Sequence, residues 1–134
     1  MIRLAAALVV IVGFTIGFEV AGGALPTASI TASDSWVSAG EQVTFTAVYP
    51  AEARKKVGQR QPFNPIVAVG CANPVTNLIA DEHSLGGGWW EGVTLPITLV
   101  TPGTCSISLG YFAKTDSNGC CVWHRLAGTT VEVL

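Results

Sequence analysis

The stretch TCSISLGYFA, residues 104–113, decides the fold. Cys105, Ile107, Leu109, Tyr111 and Ala113 fall on one face of it, and Thr104, Ser106, Ser108 and Gly110 on the other. That period of two is the pattern of a half-buried strand. Thr101-Pro102-Gly103 precedes it and Asp116-Ser117-Asn118-Gly119 follows it. Both are turn chemistry, because proline fixes φ while Gly and Asn tolerate positive φ. Working outward, TLPITLV (94–100) on one side and GTTVEVL (128–134) on the other complete three strands. A Cys-rich bend stands before the last of them.

Composition agrees with that opening. A chain of 134 residues is expected to make one domain and can bury a real core. Only 12% of the residues are charged and the net charge is −2, which argues against a nucleic-acid partner. Gly, Thr, Ser and Val are plentiful, and no long helical pattern of a soluble kind appears. The expected class is all-β.

Upstream, Ala28, Ile30 and Ala32 alternate with Thr27, Ser29, Thr31 and Ser33, giving a first strand. Ser38-Ala39-Gly40 reads as a turn. Residues 41–49 follow as a strand, with Val43, Phe45, Ala47 and Tyr49 inward and Gln42, Thr44, Thr46 and Val48 outward. Residues 66–72 make a further strand, with Val67, Val69 and Cys71 on one face and Asn73-Pro74 closing it.

The segment ASITASDSWVSAGEQVTFTAVYP (28–50) resembles the opening of Ig-like surface modules of the PKD type, where a strand, a Gly-containing turn and a Val-Thr-Phe-Thr strand occur in that order. The segment TPGTCSISLGYFAKTDSNG, with the closing GTTVEVL, is similar to their second half. The aromatic and Gly-Asp-Gly signature usual in the middle of such modules is absent. The resemblance implies an Ig-like antiparallel β-sandwich of about seven strands. Val43, Phe45, Ile107, Leu109, Tyr111, Val131 and Val133 are its expected core.

The chain opens Met1-Ile2-Arg3 and then runs uncharged over residues 4–18, with Thr15 the one polar member. Read as a secretory signal, Arg3 is the basic n-region and Ala21-Gly22-Gly23-Ala24 offers small residues for cleavage. Read as a helix, it is about 22 Å long, short of the roughly 30 Å hydrocarbon core unless it continues past Glu19. A third use is the core of a filament. Gly13-Phe14-Thr15-Ile16 resembles the cleavage site of type IV prepilins, although that family's glutamate would fall at Phe18 rather than Glu19. The run over 4–18 is apolar on every side, so it is expected to form a helix, anchored by Leu8, Val12, Phe14 and Phe18, within a segment 1–23 that serves as export signal or as membrane or filament-core helix. The domain of 24–134 then follows. Export, to the cell surface, the extracellular space or a membrane anchor, is common to all these readings.

The middle of the chain is less regular. Arg54, Lys55, Lys56 and Arg60 gather four of the seven basic residues. They suit a solvated loop, or contact with an acidic partner or anionic lipid. Asp81-Glu82-His83 offers oxygen and nitrogen atoms to a metal, but lacks a second ligand group at fixed spacing, so a solvated turn is expected. Gly86-Gly87-Gly88-Trp89-Trp90 is not a phosphate loop, since no Gly-Lys-Ser/Thr follows. Adjacent strand residues face opposite ways, so one of Trp89 and Trp90 faces the core and the other is a candidate partner contact.

Four cysteines allow three pairings and are compatible with an oxidising compartment. Cys71 and Cys105 both lie on inward strand faces and are the expected disulfide. Closing that loop of about 35 residues is worth roughly 3–4 kcal/mol in the chain-entropy picture. Cys120 and Cys121 are left as a second, vicinal pair. That pair is strained, because bridged Cα atoms usually stand at least about 4.4 Å apart and chain neighbours about 3.8 Å. With His124 nearby they are also soft-metal candidates, though structural pairing is the expected use.

Catalysis finds little support. His83 and His124 are the two histidines, and neither sits in a Gly-x-Ser-x-Gly, His-Glu-x-x-His or comparable context. The expectation is a protein that is not an enzyme and needs no cofactor. It binds protein partners or copies of itself, with a membrane as a further partner through the N-terminal helix. The first reading is a surface binding or adhesion module. The alternative is a structural subunit of a filament, surface layer or virion, joined through that helix or through edge strands.

Overall fold

The computed structural model describes residues 27–54, 64–113 and 122–134. Several expectations lie outside the described residues: the 1–23 segment with Leu8, Val12, Phe14 and Phe18, the basic residues Lys55, Lys56 and Arg60, the turn at 116–119, and Cys120 and Cys121.

The chain is all-β. In order, its strands are β1 (Ser29–Ala32), β2 (Trp36–Val37), β3 (Gln42–Val43) and β4 (Phe45–Pro50). A short 3-10 turn (Ala51–Ala53) leads on to β5 (Ile66–Val69), β6 (Thr76–Gly86), β7 (Trp89–Thr94) and β8 (Ile97–Thr98). The long pair β9 (Gly103–Ala113) and β10 (Val122–Val133) ends the chain. Seven of these strands have four or more residues, whereas β2, β3 and β8 are two-residue pairings.

Eight strands form one sheet in the order β1-β4-β7-β6-β5-β9-β10-β2, and β3 pairs separately with β8. Every pairing is antiparallel except that of β10 with β2. The sheet curls, so that β1 at one edge lies close to β9 and β10 near the other. The change of direction falls within β6. Its residues Thr76, Asn77 and Leu78 pair with β5, and from Ile79 onward it pairs with β7. A register shift between Ile79 and Asp81 marks the transfer; bulges of this kind bend and twist a strand.

The alternation read in residues 104–113 holds where the strand crosses the core: Cys105, Ile107 and Leu109 are buried, and Thr104 and Ser106 exposed. Phe45, Ala47 and Tyr49 of β4 face them with no exposed surface. Val43, Val67, Val69, Leu99, Val131 and Val133 complete the same cluster. Each such aliphatic or aromatic side chain contributes roughly 1.5–3 kcal/mol by leaving water. Cys71 and Cys105 are joined here, with Sγ atoms 2.06 Å and Cα atoms 5.4 Å apart.

Several details differ from the sequence reading. Tyr111 is half-buried rather than in the core, because β9 outruns the sheet there; its ring stacks on His124 at 5.0 Å. The strand expected over 41–49 breaks at Thr44, where the backbone leaves one sheet for the other. Ser33 holds the break, its N–H donating to the Thr44 carbonyl at 2.8 Å and its Oγ accepting from the Thr44 N–H at 3.0 Å. The strand expected over 66–72 ends at Val69, and Cys71 lies in a turn. The last strand begins at Val122, so most of the expected Cys-rich bend is strand paired to β9. The Asp81-Glu82-His83 run is no turn but the middle of β6.

At the far edge, β2 lies parallel to β10. The Glu132 N–H donates to Ser35, Leu134 N–H to Val37 and Ala39 N–H to Leu134, at 2.9, 2.8 and 3.0 Å.

The tryptophan hairpin, a candidate functional site

The β6–β7 connection is a two-residue loop, Gly87-Gly88, between the paired residues Gly86 and Trp89. Both loop residues have positive φ, 65° and 85°. Tight hairpins of the primed type demand such angles, and glycine adopts them without a Cβ clash. Trp89 and Trp90 therefore enter the strand at once, on opposite faces. Trp90 stands opposite Tyr49 and packs against the core, whereas Trp89 stands opposite Pro50 on the outer face. Both indoles are half-buried.

On the inner face four side chains meet. The Tyr49 hydroxyl donates to Glu82 Oε2. Arg54 donates to the same carboxylate from Nε at 3.3 Å and from its terminal nitrogen to Oε1 at 3.4 Å. Its guanidinium carbon lies 3.6 Å from the centroid of the Trp90 ring, a cation–π contact. Local backbone explains how Arg54 arrives. The Ala51 N–H donates to Gly88 at 2.7 Å, and the 3-10 turn closes when Arg54 N–H donates to Ala51 at 3.0 Å. Gly92 leaves the space through which Tyr49 reaches Glu82. A Cβ there would stand 2.2 Å from Ile79 Cγ2 and 2.9 Å from the Tyr49 hydroxyl.

Burial pushes the Tyr49 hydroxyl well above its ordinary pKa, and the hydrogen bond to Glu82 and that carboxylate's charge push it further. The Arg54 charge pulls weakly the other way. Arg54 and Glu82 keep 30% and 23% of their side-chain surface in water, so their ion pair is worth little beyond about 1 kcal/mol. The Arg54–Glu82 pair fixes geometry more than it stabilises.

On the outer face His83 pairs with Glu91 at 3.2 Å. Strand alternation thus sends Glu82 inward and His83 outward, which parts the two as ligands for one ion. Among the described residues no three His, Cys, Asp or Glu side chains are grouped to hold a metal. His124 is stacked on Tyr111.

The outer face also carries an open cleft of about 530 Å³, lined by Pro50, Ala51, Glu52, Gly87, Gly88 and Trp89. A second cleft of about 400 Å³ lies beside Leu78, Leu95 and Pro96. The split of roles between the two tryptophans follows from their adjacency in sequence. Arg54, Glu82 and Tyr49 as a unit do not, since 28 and 33 residues separate Glu82 from its partners.

Comparison with protein-family models, with curated proteins and with solved structures finds no match to this chain.

Proposed function

We propose that this protein is an exported, non-enzymatic surface module that binds a protein partner through the tryptophan hairpin. The observation that carries this reading is the unequal fate of two neighbouring tryptophans. Trp90 is taken up by the core and by Arg54, while Trp89 stands at a tight turn as one wall of an open cleft. An aromatic wall with a polar rim is how protein surfaces concentrate binding energy. In this reading residues 24–134 are the working head, an Ig-like sandwich whose two halves are joined by β6, related in plan to PKD-type modules. Residues 1–23 direct export or tether the head to the cell surface. The disulfide between Cys71 and Cys105 supports an oxidising compartment.

A second reading, a subunit of a filament or layer, draws on the edges of the sheet. Among the described residues β1 and β2 each have one unpaired side, and Trp36 on β2 is 67% exposed. Open edges are templates for another chain. Electron microscopy and sedimentation of the purified full chain separate the two readings. Discrete particles are expected; filaments or sheets would transfer the function to the second reading.

A further inference from the structure

The hairpin already holds one guanidinium. Arg54 lies over the Trp90 ring while Glu82 accepts from its nitrogens. The same two kinds of partner recur on the other side of the strand, with no cation among the described residues that line them. Trp89 walls the outer cleft, and the exposed carboxylate of Glu52 stands on its rim. Among the described residues Glu52 has no ion-pair partner. None of the six lining residues is basic. Pro50 and the glycines supply contact without competing donors of positive charge.

We infer that this cleft receives an arginine side chain presented by a partner protein, its guanidinium stacked on Trp89 and paired with Glu52. The inference rests on the binding-module reading and names the chemistry of its partner. Charge favours a cationic occupant, since Glu52 is the one charged residue among those that line the cleft. Arginine fits better than lysine because its guanidinium is planar, weakly hydrated and able to stack on an indole while donating sideways to a carboxylate. The Arg54–Trp90–Glu82 arrangement is the same recognition made within the chain.

The test uses the full chain carrying isotope-labelled tryptophan, titrated with N-acetyl-arginine amide and, in parallel, with its neutral isostere N-acetyl-citrulline amide. A saturable shift of the Trp89 indole N–H is expected with the arginine compound, and citrulline should bind about two- to fivefold more weakly. E52Q should weaken the arginine compound about two- to fivefold, leave citrulline unchanged, and remove most of the salt dependence. W89L should abolish the saturable shift of the remaining indoles. Trp89 lies on the outer face, and a thermal melt checks that this variant is folded; if it is not, E52Q and the citrulline comparison decide. Equal binding of arginine and citrulline would overturn the inference and leave a cleft for neutral groups. So would a shift confined to Trp90, which would mean that the compound merely displaces Arg54. No saturable shift up to about 50 mM would also overturn it, and with discrete particles by microscopy the binding-module reading would still stand.

Discussion

Replacing Tyr49 with phenylalanine tests the inner quartet through its dependence on pH. The ring is fully buried and its hydroxyl donates to Glu82. A hydrogen bond to a charged group is worth about 1.5–3 kcal/mol. Glu82 is partly exposed and retains Arg54 in the variant, so the low end applies and the cost near pH 8 should be about 2 kcal/mol. The sign of the pH effect follows from the raised pKa. Below about 10 the hydroxyl is protonated in both folded and unfolded chains and contributes no slope. Above it the unfolded chain releases a proton that the folded chain keeps, so wild-type stability falls by up to about 1.4 kcal/mol per pH unit. The Tyr49→Phe variant has no such proton, and its curve lacks this slope. Urea unfolding from about pH 8 to about pH 11.5 should therefore show a gap that is constant at first and closes near the upper limit. Curves that stay parallel through the whole window would refute the burial and bonding assigned to Tyr49.

Other outcomes are expected on the same grounds. G92A should destabilise by roughly 1–3 kcal/mol, because the added methyl meets Ile79 and the Tyr49 hydroxyl and something must shift; chemical denaturation measures it, and a neutral result would mean that β6 and β7 are not in this register. Non-reducing peptide mapping should recover Cys71 linked to Cys105, and replacing both by alanine should cost about 3–4 kcal/mol for a loop of this length. Recovery of Cys71 linked to Cys120 or Cys121 would contradict the arrangement of the C-terminal half. G88A should weaken the hairpin by about 1 kcal/mol or more, because its φ of 85° is strained for any residue with a Cβ; the loss should appear in a thermal melt.

Where one face of a strand is buried and the other wet, the sequence announces it. Residues 104–113 and the Phe45, Ala47, Tyr49 series were legible for that reason. β6 was not. Leu78 and Leu85 are exposed and the charged run between them is polar on both faces, so its extended form is imposed by the partners on either side and by the Gly87-Gly88 turn. The extension of β10 back to Val122 was hidden in the same way, its pattern interrupted by a register shift opposite Leu109 and Gly110. Half of the candidate site could be read: two adjacent tryptophans in a strand must part company. The carboxylate that holds Arg54 could not, because nothing local in a sequence ties Glu82 to a tyrosine in another strand.

The parallel pairing of β2 with β10 has a mechanical side. Pull the chain before Trp36 and the residue at 134 in opposite directions, and the two strands slide lengthwise past one another. The three backbone bonds from Glu132, Leu134 and Ala39 then take the load together. An antiparallel hairpin such as β9–β10, tugged open at its free ends, surrenders its bonds one after another. Load applied between these two points would be resisted until several bonds gave way at once.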